Sequence, residues 1–170
     1  MTWLPGCVIA RQFLIRYEHS DRTAIMETTK ILIIDDEADF TALLRANLEE
    51  VGNFDVRDIN DSSLALKTAK EFMPDLCIID VVMPGLDGGD VVAQFRADPE
   101  LRSIPVLMLT ALVEENPDTP DGETQTGGLP FVSKTSEFGT ILSCIEKHLE
   151  EARSGTATEE PHMAEPWELS

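Results

Sequence analysis

The most constraining feature of this chain is a set of short, wholly apolar runs that recur between segments of helical periodicity. The first run is residues 31–34 (ILII), and similar runs cover residues 76–79 (LCII) and 106–109 (VLML). A strand with one wet face alternates apolar and polar residues, whereas a strand buried on both faces is apolar throughout. These runs therefore predict strands of a parallel sheet that is covered on both sides.

Amphipathic segments lie between the predicted strands. Apolar residues recur with the spacing of one helix face from Phe40 to Val51, and a second helix is expected from Asp61 to about Phe72. Two more helices are expected around residues 91–95 and 138–149. The five strands that alternate with them lie at residues 31–34, 54–59, 76–80, 106–109 and 129–132. This alternation predicts an α/β protein with a doubly wound, five-stranded parallel sheet and helices on both faces.

The interval between the fourth and fifth predicted strands lacks the pattern of a helix. Residues 114–123 (EENPDTPDGE) contain two prolines, one glycine, five acids and no apolar residue. Proline removes a helical N–H donor and clashes with the preceding turn, so a regular helix cannot cover this stretch. We expect the fourth helix to be degenerate or replaced by an acidic loop.

The two ends of the chain differ from the domain between them. Residues 1–29 show no sustained periodicity, and Met26 stands just ahead of the first strand. We interpret residues 1–29 as an N-terminal extension. One hypothesis is that the start of the chain was mis-assigned and that the true start lies downstream. Residues 30–151 form the predicted domain, and residues 152–170 are expected to be a disordered acidic tail.

The charge of the chain limits its partners. Lys and Arg number 13 against 32 Asp and Glu, for a formal net charge of −19. A polyanion repels nucleic acid and anionic membranes, so we expect neither as a partner, and a basic protein surface or a cation instead. No apolar run approaches the ~20 residues of a membrane span. The three cysteines form no C-x-x-C pair, which favours a reducing, cytoplasmic location.

Polar residues follow the predicted strands at the point where each strand ends: Asp35 and Asp36, Asp80, Thr110, and Lys134. Ligands of open α/β sheets bind outside the carboxyl ends of the strands. Three carboxylates at one edge repel each other unless a cation neutralises them, and Mg²⁺ prefers such oxygen ligands. A lysine and a hydroxyl beside them suit a phosphoryl group. The pattern therefore indicates metal-assisted phosphoryl transfer to a carboxylate.

Four sequence elements resemble the signature of two-component response-regulator receiver domains: residues 31–37 (ILIIDDE), residues 80–88 (DVVMPGLDG), Thr110 with Ala111, and Lys134. The resemblance extends over about residues 30–151. It implies a flavodoxin-like sheet of strand order 2-1-3-4-5 in a single-domain regulator similar to chemotaxis regulators. It also implies a phosphoprotein of phosphorelay signalling that catalyses only its own phosphorylation and dephosphorylation. Its expected partner is a histidine kinase or a phosphotransfer protein.

The resemblance also implies a Mg²⁺ site. Asp36 and Asp80 would be direct ligands, Asp35 would act largely through water, and the carbonyl of Val82 would complete the protein's share. No other cofactor is expected.

Roles toward the phosphoryl group come from the same resemblance. Asp80 would be the phosphoacceptor, Thr110 would donate a hydrogen bond to a phosphoryl oxygen, and Lys134 would pair with the phosphoryl group. Phe131 stands where the family keeps a rotating aromatic switch, although its apolar neighbours are equally compatible with a core residue.

The sequence departs from the family after Lys134. Receivers usually have a proline there in a cis peptide bond, but Thr135 follows here, and a cis bond before a non-proline residue costs about 3–4 kcal/mol. The Lys134–Thr135 bond is therefore expected to be trans.

The function has three candidate forms. With 19 residues after Glu151 we expect no DNA-binding output domain, and therefore output through protein contacts or onward phosphotransfer. One alternative is a vestigial receiver that serves as a constitutive interaction module. The other is a small aspartyl phosphohydrolase, which would need a second acid two residues after its nucleophile, where this chain has Val82.

The positions that tune hydrolysis in relatives predict a long-lived aspartyl phosphate. They lie two residues beyond the phosphoacceptor and two beyond the threonine, and here they are Val82 and Leu112, neither of which can orient a water. Radiolabelled protein in Mg²⁺ should keep its label. Loss of the label within seconds would contradict this prediction.

Overall fold

The computed structural model describes residues 28–111 and 122–155, which form six strands and four helices. The strands are β1 (Thr29–Ile34), β2 (Phe54–Ile59), β3 (Leu76–Asp80), β4 (Val106–Thr110), β5 (Thr124–Thr126) and β6 (Leu129–Ser133). The helices are α1 (Ala38–Val51), α2 (Ala65–Phe72), α3 (Gly88–Ala97) and α4 (Phe138–Ser154). A 3₁₀ turn at Ser62–Leu64, capped by Asp61, leads into α2 as the sequence predicts.

All strands belong to one sheet of order β2-β1-β3-β4-β6-β5. The first five strands of this order are parallel to their neighbours, and β6 is the predicted fifth strand. The predicted order of the five parallel strands is therefore confirmed, and the structure adds the short strand β5 at the edge of the sheet. The short β5 pairs antiparallel with β6 through a turn at Gly127 and Gly128, both of which have positive φ. Two such residues form the tight turn that suits a hairpin.

The described part of the interval before β6 contains a strand and no helix. Residues 122–128 form the approach to β5, β5 itself and the turn, as expected for a chain that lacks a regular fourth helix. Residues 112–121, which include Leu112 and most of the acidic stretch, lie outside the described residues.

The core consists of two layers, one on each face of the sheet. Helices α2 and α3 pack on one layer, and α1 and α4 pack on the other. Successive residues of each buried strand alternate between the layers. The first layer takes Leu32, Ile34, Cys77, Ile79 and Met108 from the strands, and the second takes Ile31, Ile33, Ile78, Leu107 and Leu109. This division explains why the central runs at residues 31–34, 76–79 and 106–109 are apolar at every position.

Glu123 anchors the start of the hairpin to α4. Its buried side chain lies 3.2 Å from Lys147 Nζ and 2.9 Å from His148 Nε2. His148 Nδ1 in turn lies 3.2 Å from a carboxylate oxygen of Glu151. Because a buried carboxylate needs such partners, this contact fixes the position of the chain immediately before β5.

Helix α4 extends beyond the expected end of the domain. It continues past Glu151 to Ser154 and ends at Gly155, whose φ of 71° is the left-handed conformation that stops helices. Of the expected tail at 152–170, the first residues are thus helical, and residues 156–170 lie outside the described residues, as do residues 1–27. Within the described ranges no helix has the length and apolarity to cross a membrane.

Gly88 allows α3 to begin directly beneath the end of β3. A Cβ atom at this position would overlap the carbonyl oxygen of Asp80 and would lie 2.8 Å from Met108 Cε. The amide of Gly88 donates to the carbonyl of Val81 at 3.0 Å. The residue is therefore needed as glycine because the backbone that carries Asp80 approaches it closely.

We expect Gly88→Ala to destabilise the protein by about 1–3 kcal/mol, since the added methyl group overpacks a backbone contact. Gly89→Ala is the matched control, because its Cβ would approach only the side chain of Asp87, at 3.2 Å. Alanine also favours the helix at that position. Urea unfolding of the two variants measures the difference, and equal stabilities would contradict the assignment.

Candidate functional site

Three carboxylates meet at the carboxyl edge of the sheet. Asp35 and Asp36 follow β1, and Asp80 is the last residue of β3, which pairs in parallel with β1. Each carboxylate offers an oxygen that lies within 4.8 Å of those of the other two. Asp35 and Asp80 are buried, whereas Asp36 is exposed. The parallel register of β1 and β3 therefore brings together the three acids that the sequence predicted as a cluster.

Lys134 enters this cluster from the end of β6. Its Nζ atom lies 2.8 Å from Asp35 Oδ2, 3.0 Å from Asp80 Oδ2 and 2.7 Å from Glu37 Oε1. The side chain is only 8% exposed, and Nζ lies 5.2 Å from the centroid of the Phe40 ring. An ammonium group has three N–H donors. Each of them has one carboxylate within reach.

The charges of the cluster shift the pKa values of its members. Burial alone would lower the pKa of the Lys134 ammonium, but its close contacts with the carboxylates of Asp35, Glu37 and Asp80 outweigh this effect and raise the pKa above its usual range. Burial raises the pKa of Asp35, and the Lys134 partner and the Glu37 amide offset this only in part. The ammonium therefore stays charged, and it is the main compensation for the buried carboxylates.

The cluster has the donor chemistry of a hard-cation site. The buried Asp35 Oδ2 faces the ammonium as an ion pair but accepts no hydrogen bond of regular geometry. One ammonium cannot neutralise the three acids and Glu37 together. Carboxylate oxygens, one of them exposed, suit Mg²⁺, which keeps part of its water. The acidic cluster is thus of the kind that holds Mg²⁺.

The other predicted site residues lie at the same edge. Thr110 is buried at the end of β4, where it pairs with Ser133, and its carbonyl accepts from the Lys134 amide at 2.9 Å. Val82 lies in the loop after Asp80, and its amide nitrogen is 3.4 Å from Asp80 Oδ1. Val82 is 59% exposed. Both therefore lie close to Asp80 along the chain or across the sheet.

Phe131 lies in the middle of β6, between Met108 of β4 and Thr124 of β5. Its ring is partly buried and packs on the core layer of α2 and α3. The position is compatible with both roles considered from the sequence. The hairpin adds a strand outside Phe131.

Two hydroxyl groups flank Lys134, one of them on Thr135, where receivers usually have a proline. Ser133 Oγ lies 2.8 Å from Thr135 Oγ1 and also accepts from the Thr135 amide at 3.2 Å. A proline has no amide proton for this second contact. Residues 28–111 and 122–155 contain no cis peptide bond, so the Lys134–Thr135 bond is trans as expected.

The sequence did not single out the residues that support the loop after β1. Asn60 Nδ2 donates to the carbonyl of Asp35 at 2.7 Å and to Thr41 Oγ1 at 3.1 Å. Thr41 Oγ1 lies 3.2 Å from Asp58 Oδ2, and Asp58 is also paired with Arg45. Asp58 and Asn60 lie at the carboxyl end of β2. The same rule that identified Asp80 could have identified them.

Glu37 was also missed as a site residue. It belongs to the run of three acids after β1, but no role was assigned to it. Which of the three reaches the lysine depends on the backbone of the loop. The sequence alone does not specify this.

Comparison with known proteins agrees with this fold and site. Phosphate regulon transcriptional regulatory protein PhoB of Rhizobium meliloti is 39% identical over 124 residues, which are 73% of this chain and 53% of that protein. Alkaline phosphatase synthesis transcriptional regulatory protein PhoP of Bacillus subtilis is 45% identical over 86 residues, 51% of this chain and 35% of that protein. The chain thus matches between about a third and about a half of the length of these two relatives.

A solved structure shows the same fold. Chemotaxis protein CheY4 of Vibrio cholerae, crystallised at low pH, aligns with a TM-score of 0.60 at 26% identity. The alignment covers 71% of this chain and 98% of that one.

Sheet, acidic cluster and lysine together define a signalling domain with an acidic phosphorylation pocket. The sequence profile of the response regulator receiver domain matches residues 31–146, and the chain belongs to this family.

We expect Mg²⁺ to stabilise the protein through the acidic cluster. A cation at about 100 times its dissociation constant adds about 2.7 kcal/mol to the free energy of unfolding. Asp36→Asn should remove most of this gain, and without Mg²⁺ it should be at least as stable as the wild type because carboxylate repulsion is relieved. Asp39→Asn, an exposed acid on α1, is the control. Thermal melts with and without Mg²⁺ measure the effect, and an unchanged gain in Asp36→Asn would contradict the site.

Proposed function

We propose that this protein is a phosphorylation-dependent signalling receiver that accepts a phosphoryl group on Asp80 from the phosphohistidine of a histidine kinase or phosphotransfer protein. The observation that carries the proposal is the position of Lys134 Nζ, which bridges Asp35 and Asp80 beside the exposed Asp36. The matched family supports it, since receiver domains generally partner with histidine kinases. The proposed domain runs from β1 to the end of α4 at Ser154, slightly beyond the 30–151 expected from the sequence.

The residues of the pocket divide the chemistry between them. A carboxylate oxygen of Asp80 forms a bond to phosphorus as the bond from phosphorus to the imidazole nitrogen breaks, and the imidazole leaves. Lys134 pairs with the charge of the phosphoryl oxygens, and the hydroxyl of Thr110 donates to one of them. Asp35, Asp36, Asp80 and the carbonyl of Val82 would hold Mg²⁺. When bound, this ion neutralises charge on the transferred group.

The signal leaves the domain through protein contacts. Phe131 is the proposed switch. It lies on β6, which pairs with the strand that carries Thr110, and on its other side it pairs with Thr124 of the hairpin strand β5. A net charge of −19 favours a partner with a basic surface over nucleic acid or an anionic membrane. Such a domain would act in the cytoplasm.

Two features of the structure are also compatible with one alternative, a vestigial receiver. The hydroxyl pair after Lys134 and the hairpin before β6 are departures that a vestigial receiver, used as a constitutive interaction module, would tolerate. A phosphohydrolase is disfavoured, because the exposed residue two positions after Asp80 is the apolar Val82, which cannot act as an acid.

The deciding experiment is phosphorylation by radiolabelled acetyl phosphate with Mg²⁺. Wild type should gain one label, Asp80→Ala should gain none, and Asp90→Asn, an exposed acid on α3, should behave as wild type. Circular dichroism checks that each variant is folded. A folded wild type without label, or a label that Asp80→Ala retains, would refute the proposal, and the first outcome would favour the vestigial alternative.

A further inference from the structure

The three partners of Lys134 differ sharply in their exposure to solvent. The side chain of Asp35 is 1% exposed and that of Asp80 is 6% exposed, whereas that of Glu37 is 62% exposed. All three nevertheless lie within 3.0 Å of the same ammonium nitrogen. One of the three ion pairs is therefore at the surface, while the other two are inside the protein.

The side chain of Glu37 contacts the pocket and not the helix that the residue precedes. Glu37 is the N-cap residue of α1, yet its side chain makes no capping hydrogen bond to that helix. The carboxylate instead reaches Lys134, which is 97 residues away in the sequence. Glutamate is not one of the short residues that cap helices with their side chains, so the Glu37 carboxylate is available to the ammonium.

A fourth anion at the cluster must displace one of the three present partners. The ammonium has three N–H donors, and each has one carboxylate in reach. The side chain of Asp35 is buried and cannot return to water, so it is not the partner that is easily released. Asp80 is the attachment point itself. The exposed Glu37 can return to water at little cost, because ion pairs of solvent-exposed groups are weak.

We propose that Glu37 is a positioning residue that holds Lys134 while Asp80 is unmodified and releases it when a phosphoryl group arrives. The inference rests on the proposed function and assigns this residue a role in it. The negative charge of Glu37 opposes the incoming phosphoryl oxygens, and its ion pair with Lys134 must be exchanged for theirs. Glu37 therefore sets how readily the pocket accepts an anion.

The test compares Glu37→Gln with Asp39→Asn. Both variants remove one exposed carboxylate near the start of α1, but Asp39 is not among the partners of Lys134. The probe is beryllofluoride with Mg²⁺, a mimic of an aspartyl phosphate. We expect Glu37→Gln to bind it about two- to fivefold more tightly than wild type, as follows from removing one surface ion pair. Asp39→Asn should stay closer to wild type, and Mg²⁺ alone should bind Glu37→Gln no more tightly than wild type.

A spectroscopic readout separates this role from a merely structural one. The NMR signal of the Lys134 side chain should differ between wild type and Glu37→Gln in the unmodified protein. With beryllofluoride bound, the two signals should coincide, because the wild type has then released Glu37. A difference that persists in the bound state, or equal beryllofluoride affinities for Glu37→Gln and Asp39→Asn, would overturn the inference.

The outcome also separates this inference from the function on which it rests. If wild type neither binds beryllofluoride nor gains label at Asp80, the proposed function fails and the inference fails with it. If wild type does both and Glu37→Gln has unchanged affinity, only the role of Glu37 fails.

Discussion

The pocket depends on one ammonium group held among carboxylates at the edge of the sheet. Lys134 lies within 3.0 Å of two buried acids and one exposed acid, and it is itself nearly buried. Removing Lys134 would leave the buried carboxylates of Asp35 and Asp80 without their compensating charge. The acids of the pocket carry more negative charge than one ammonium group can neutralise. A cation or an anion that binds there must therefore change these ion pairs. When a ligand binds, such a site therefore exchanges the ion-pair partners of its lysine.

The fold keeps that pocket in place through close backbone packing on one side and polar contacts on the other. Gly88 lets α3 begin against the carbonyl of Asp80, so the loop after β3 has little room to move. Asn60 ties the carbonyl of Asp35 to β2. The Ser133 and Thr135 hydroxyls brace the turn that carries Lys134. Each of the three chain segments that meet in the pocket thus has its own support.

The predictable parts of this structure are those for which the sequence pattern allows one physical solution. Wholly apolar runs must be buried on both faces, so the central strands β1, β3 and β4 and the meeting of Asp80 with Asp35 followed from the pattern. Strand β5 did not, because Thr124, Gln125 and Thr126 carry no apolar signal and pair only because the following glycines turn the chain back. The burial of Glu123 was equally hidden, since its partners come from α4.

The anchoring of Glu123 has a consequence for how this protein can change over evolution. The segment 112–121 is bracketed by the end of β4 and by a carboxylate fixed against α4. The entropy cost of connecting two fixed points grows only slowly with the number of residues between them. The length and sequence between these two points can therefore change over evolution while the positions of Asp80 and Lys134 stay the same.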